Sequence, residues 1–174
     1  DVPLKGLIYL IRAYAILLKE FPDLKLLVIG RLREGPTDQE LKKEGIKEKV
    51  KFISDLTGRQ IAELYAESTI AISPSVYEGF GFPAGEAMSC GIPLISTNGG
   101  SLPEVVGDAG IIVPHSNPKA LKDAIKSLLD SPEKRIEFGN KGRERVLEKF
   151  TWNRAAKELV EVYREAIDNA DNRP

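Results

Sequence analysis

A single cysteine, Cys90, rules out an internal disulfide, and a single histidine, His115, with that cysteine distant in sequence, argues against a metal site built on His and Cys. An excess of charge of one sign is also lacking. Lys plus Arg number 25 against 26 Asp plus Glu, for a formal net charge of -1, which points away from a nucleic-acid partner. No apolar run approaches the ~20 residues that a bilayer-spanning helix needs. No charged start followed by an apolar stretch and a small-residue cleavage site marks a secretory leader. Together these absences lead to the expectation of a cytoplasmic location. Hydrophobic residues make up 42% and charged residues 29%, with 15 Gly and 11 Pro, the composition of an ordinary folded domain with both helix and sheet. A chain of 174 residues buries roughly two thirds of its unfolded surface and needs no covalent staple. Residues 1–174 read as one domain, without repeat, low-complexity stretch or linker.

The apolar positions Leu7, Ile8, Leu10, Ile11, Tyr14, Leu17 and Leu18 recur at helical spacing. This first clear element follows Asp1 closely and no initiator Met is present, as expected of a segment cut from a longer protein. Short aliphatic runs then appear near 24–29, 50–54, 69–73, 93–96 and 110–113, separated by helical patterns. The runs are apolar on both faces, which predicts an open parallel sheet covered on each side by helices. Thr57 with Gln60 forms a capping-box pattern, while Asn117-Pro118 and Ser131-Pro132 each place a cap before proline at the first helical position. Helices are predicted over about 132–148 and 152–168, the latter closing the chain over 151–168. The basic residues Lys141, Arg143, Arg145 and Lys149 alternate with Glu144 and Glu148 and read as a solvated helix face.

Ligands of an open parallel sheet bind outside the carboxyl ends of its strands. The loop after residue 73 runs Ser73-Pro-Ser-Val-Tyr-Glu78-Gly79-Phe80-Gly81-Phe82-Pro83-Ala-Gly85-Glu86 into a helix that stops at Gly91. Glycines ahead of a helix admit bare backbone to a ligand, and the unpaired first-turn amides favour an anion such as phosphate. Glu78 and Glu86 would repel a phosphate, so they are assigned to neutral hydroxyl groups of a sugar or ribose. A dinucleotide fingerprint is a poorer match, because the next strand ends in Ser96-Thr97-Asn98 with no acidic residue.

These residues resemble the carboxyl-terminal, donor-binding domain of retaining GT-B glycosyltransferases, group 1, family 4. The hallmark is E-G-F-G-x-x-x-x-E-A-M from Glu78 to Met88. Lys5-Gly6, Val28-Ile29-Gly30, Gly99-Gly100-x-x-Pro103-Glu104, Gly110-Ile-Ile-Val113 and Phe150-Thr151-Trp152 extend it across the chain. The resemblance implies a Rossmann-like α/β fold and binding of a nucleoside-diphosphate sugar, such as a UDP-, GDP- or ADP-sugar, for transfer to an acceptor. It assigns Glu86 to the ribose hydroxyls and Glu78 to the transferred sugar. The amides of Phe80, Gly81 and Phe82 would receive the diphosphate, Lys5 would neutralise it as it leaves, and Leu56 and Gly58 would line the nucleobase. No metal is implied.

The sequence also departs from the family pattern. The strand that ends in Gly-Arg before the Lys-Gly pair is absent, its place belonging near the middle of the sheet, so the first strand is expected to be missing or the gap closed by the others. The amino-terminal acceptor domain is absent as well, so this chain alone is expected to be inactive, with its closing helix reaching towards that domain. No transmembrane segment lies in this chain, and any peripheral membrane attachment belongs to the absent domain. The competing expectations are a nucleotide-sugar epimerase-like GT-B domain and a non-catalytic nucleotide-sugar-binding module.

Overall fold

The computed structural model describes residues 3–171. A 3-10 turn, Pro3–Lys5, leads into α1 (Leu7–Leu17), β1 (Leu26–Ile29), α2 (Pro36–Lys43), β2 (Val50–Ile53), α3 (Gly58–Glu67) and β3 (Ala71–Ser73). Then follow α4 (Phe82–Ser89), β4 (Leu94–Thr97), α5 (Leu102–Val106), β5 (Ile111–Val113), α6 (Pro118–Leu129), α7 (Pro132–Lys149) and α8 (Trp152–Asp171). The three caps read from sequence are made. Thr57 and Gln60 form a reciprocal capping box on α3, Asn117 accepts from the Ala120 amide, and Ser131 accepts from the Lys134 amide.

All strand pairs are parallel. Leu26 to Ile29 pair with Val50 to Ile53, Ala71 to Ser73 with Leu94 to Ser96, and Ile95 to Thr97 with Ile111 to Val113. All four positions of β4 are buried, and neighbours on the strand feed opposite cores because side chains alternate across a strand. Ile95 packs with α1 and α6 through Leu10, Leu17, Leu121 and Leu128. Leu94 packs with α4 and α5 through Ala87, Met88, Leu102 and Val106. Burying each such side chain contributes about 1.5–3 kcal/mol before entropy is counted, which is why the runs read as continuously apolar.

In place of one continuous sheet there are two, β1-β2 and β3-β4-β5. The remaining strands do not close the gap. The free edges of β1 and β3 face a cavity of about 950 Å³, walled by Leu26 to Ile29 and by Ile70 to Ser73, with Ile125 and Leu129 among its further lining. Helix α1 ties the halves together, its Leu10 and Leu17 in the core of the three-stranded sheet and its Ile11 and Tyr14 in a third cluster with Leu41, Ile46 and Val50.

The basic residues of α7 do more than face water. Arg143 donates to the Ser89 carbonyl, and Arg145 donates to the carbonyls of Glu104 and Val105 at the end of α5. Helix α8 lies apart, with every residue from Trp152 to Asn169 exposed and Trp152 89% accessible. No helix among the described residues is long and apolar enough to cross a membrane.

Candidate functional site

The chain reaches the site through Gly6. Its φ of 64° lies in the left-handed region, and a β-carbon there would collide with the Pro74 carbonyl oxygen, so only glycine lets residues 4–6 lie against the loop after β3. The Leu4 carbonyl accepts from the Val76 amide at 2.8 Å, completing that docking. Lys5 is thereby set over Glu78, with Nζ 2.6 Å from Oε1. Lys5, Gly30, Arg31, Ser75 and Glu78 line one mouth of the cavity. The carboxyl ends of β1 and β3 therefore open on the same place.

Gly81 caps α4 in the left-handed conformation, and Phe82 is its first helical residue. Among the described residues, the amides of Phe80, Gly81 and Phe82 donate to no protein acceptor. These orphan donors carry the partial positive charge of a helix N-terminus. Phe80 and Phe82 are exposed with ring centroids 4.8 Å apart, and Phe150 meets Phe80 edge-on at 5.8 Å. Glu86 lies exposed one turn into α4. Its neighbour Tyr65 donates to the Pro83 carbonyl at 3.3 Å. Burial, with the Glu86 charge adding to it, pushes the Tyr65 phenol up to about 12.

Leu56 and Gly58 lie at the end of β2, Leu56 half-buried in the loop and Gly58 at the start of α3. No hydrogen bond links them to the Lys5–Glu78 pair among the described residues. Thus Lys5 and Glu78 are joined directly and the α4 amides follow Glu78 by two to four residues in the chain, whereas Leu56 and Gly58 are not among the residues lining the cavity that Lys5 and Glu78 share.

The sequence reading missed Ser54, Asp55, Ser75 and Ser101 here, whereas Arg31, like Arg33, follows the glycine at the carboxyl end of a strand and stood out for that reason as a candidate nucleotide contact. Arg31 bridges the ends of β1 and β2, with Nε 3.1 Å from Ser54 Oγ and a terminal nitrogen 2.5 Å from Asp55 Oδ2. That guanidinium and the Ser54 hydroxyl hold the Asp55 carboxyl below the usual carboxylate range. Asp55 has φ of 61°, a left-handed backbone that non-glycine residues adopt at a cost and most often in functional loops. Ser75 and Ser101 support Glu78 by hydrogen bonds to its side chain and its carbonyl. Both serines stand in the glycine-rich stretches that drew notice, but nothing in their spacing marks them.

A parallel α/β unit with helices on both faces, polar residues at the strand carboxyl ends and a glycine-capped helix following the loop after β3, is the architecture of the nucleotide-binding α/β domains. Within that class the chain belongs to the glycosyl transferases group 1 family, whose model matches residues 2–145. The chain is 39% identical over 171 residues to an MMP α-(1→4)-mannosyltransferase of Mycolicibacterium hassiacum, with 96% of this chain and 41% of that protein aligned. It is 33% identical over 176 residues to a D-inositol 3-phosphate glycosyltransferase of Corynebacterium glutamicum, covering 96% of this chain and 42% of that protein. Among solved structures, sucrose-phosphate synthase from Thermosynechococcus elongatus superposes with a TM-score of 0.82 at 28% identity, over 97% of this chain and 44% of that one. The Anabaena protein HepE in complex with UDP superposes with a TM-score of 0.83 at 22% identity, over 94% of this chain and 46% of that one, a likeness of fold. The chain spans about two fifths of the length of the curated relatives it matches.

Proposed function

We propose that this chain is the donor-binding part of a retaining glycosyltransferase, holding a nucleoside-diphosphate sugar whose glycosyl group passes to an acceptor. The observation that carries the reading is the Lys5–Glu78 pair, with the unpaired amides at the start of α4 following two to four residues after Glu78 in the chain. The amides of Phe80, Gly81 and Phe82 receive the diphosphate. An ammonium has three donors, of which Lys5 uses one on Glu78, so the others remain for diphosphate oxygens as negative charge builds on the leaving group. Preset donors of this kind are worth ~100- to 1000-fold in rate. Glu86 takes the ribose hydroxyls, Glu78 the hydroxyls of the sugar, and Leu56 with Gly58 the base. The roles of mannosyl- and glycosyltransferase named for the relatives and the UDP held by HepE agree with this assignment.

In the whole protein, an upstream strand is proposed to fill the slot between β1 and β3, and an acceptor domain to meet the apolar face of α8. Transfer needs both reactants in attack geometry, and a misplacement of ~1 Å costs about 100-fold. The chain alone is therefore expected to bind donor without turnover. Calorimetry with UDP, GDP, ADP and NAD tests the reading: one nucleoside diphosphate should bind and NAD should not. A folded sample that binds none of the three diphosphates, or one that transfers sugar unaided, overturns it.

A further inference from the structure

Glu78 sits on a loop, yet its side chain is only 13% exposed, and the protein donors that reach it converge on one oxygen. Lys5 Nζ lies 2.6 Å and Ser75 Oγ 2.8 Å from Oε1. Among the described residues, Oε2 accepts from none. The two donors differ in kind. The Lys5 side chain is 53% exposed, and holding a long exposed side chain in one geometry costs entropy that offsets most of such a pair. Ser75 is 3% exposed and has one side-chain torsion, so its hydroxyl is a fixed point.

Ser75 is itself anchored to β4 and the turn beyond it. Its carbonyl accepts from the Thr97 hydroxyl at the end of β4. The Glu78 carbonyl accepts from both the amide and the hydroxyl of Ser101, at 3.0 and 3.2 Å. Gly100, at φ of 62°, lies so close that a β-carbon would strike the Glu78 carbonyl. The loop from 75 to 78 is thus fastened at both ends, and within it Ser75 Oγ donates to Glu78 Oε1.

We propose that Ser75 is a positioning residue that pins Oε1 of Glu78 so that Oε2 faces the hydroxyl groups of the bound sugar. The proposal rests on the donor-binding reading of Glu78 above. Ser75 touches no ligand. It removes rotamer freedom that Glu78 would otherwise lose on binding, and such preorganisation strengthens affinity without a new contact. Immobilising one rotamer-rich side chain in advance is worth a factor of about two to ten, and the effect belongs to the sugar rather than to the diphosphate.

Two measurements test this. Without ligand, side-chain coupling constants of Glu78 by nuclear magnetic resonance should report one rotamer in the parent and averaging in Ser75→Ala. Ser75→Cys, which keeps the volume, serves if the alanine variant unfolds. With ligand, calorimetry compares the tightest of UDP, GDP and ADP with its glucose and mannose conjugates. Ser75→Ala should leave diphosphate affinity within about twofold and cut the gain from the sugar roughly two- to tenfold. In a Glu78→Ala background the same substitution should change nothing. The proposal is overturned if Glu78 keeps one rotamer in Ser75→Ala, if diphosphate and conjugate weaken equally, or if the loss persists without Glu78. Should the parent bind no diphosphate, the donor reading falls and the rotamer measurement alone decides the role of Ser75.

Discussion

Replacing Glu86 by glutamine keeps the shape of an exposed side chain on α4 and removes its charge. Hydrogen bonds to a charged acceptor are worth about 1.5–3 kcal/mol, so Glu86→Gln should weaken nucleoside-diphosphate binding by roughly 10- to 100-fold with an unchanged melting temperature. Calorimetry beside a thermal melt checks both halves; unaltered affinity would remove Glu86 from the ribose. Gly6→Ala should fail differently, because its methyl group meets the fixed carbonyl of Pro74. A lower melting point together with loss of nucleotide affinity is expected, since residues 4–6 carry Lys5 to Glu78. Glu78, Glu86 and the intervening glycines were legible because they lie within one stretch of sequence. Ser75 and Asp55 were not: serine and aspartate are common in loops, and what singles these two out is a partly buried hydrogen bond and a left-handed backbone, which only three-dimensional placement discloses.

Helix ends were the most legible elements, since a cap is a local interaction. Asn117→Ala should destabilise the fold by about 1 kcal/mol, because the Ala120 amide at the start of α6 then loses its acceptor, and denaturant unfolding measures it. Helix α8 offers the contrast. Trp152, Ala156, Leu159, Val160, Tyr163 and Ile167 share one face at helical spacing, yet all are exposed. Backbone amides of α8 should exchange with solvent much faster than those of β4, by hydrogen-exchange mass spectrometry. Equal protection would mean that the apolar face has found cover. The sequence pattern identifies such a face but carries no information on whether its partner is within reach.

Across the molecule, one acid-sensitive arrangement is the ion network of α2. Asp38 and Glu40 are both buried. Hydrogen bonds from Lys42 and Lys47 hold the Asp38 carboxyl below the usual range, and Arg12 with Lys43 does the same for Glu40. A carboxylate whose folded value is depressed contributes stability that is complete above its unfolded value, about 4. That contribution disappears as pH falls through the lower folded value. Denaturant midpoints should therefore hold steady from pH 7 to about 5 and drop below about 4, with a smaller drop in Asp38→Asn. The overall class, a parallel α/β unit, followed from doubly apolar strands alternating with helices. The division of the sheet did not, because pairing is a long-range property and each strand reads the same beside one neighbour as beside two.

The slot between β1 and β3 bears on how the molecule comes apart. Strand hydrogen bonds normally couple a sheet into one cooperative block, but here no ladder crosses the middle. The β1–α2–β2 half has its own small cluster around Leu41, Ile46 and Val50 and shares α1 with the larger half. Such a unit can open as a separate foldon. Its amides over 26–53 should exchange through a smaller opening free energy than those over 94–113, and calorimetric melting should be broader than a single two-state transition allows. A parent protein carrying a strand in the slot would melt as one body, so the seam that receives that strand would also set the cooperativity of the whole domain.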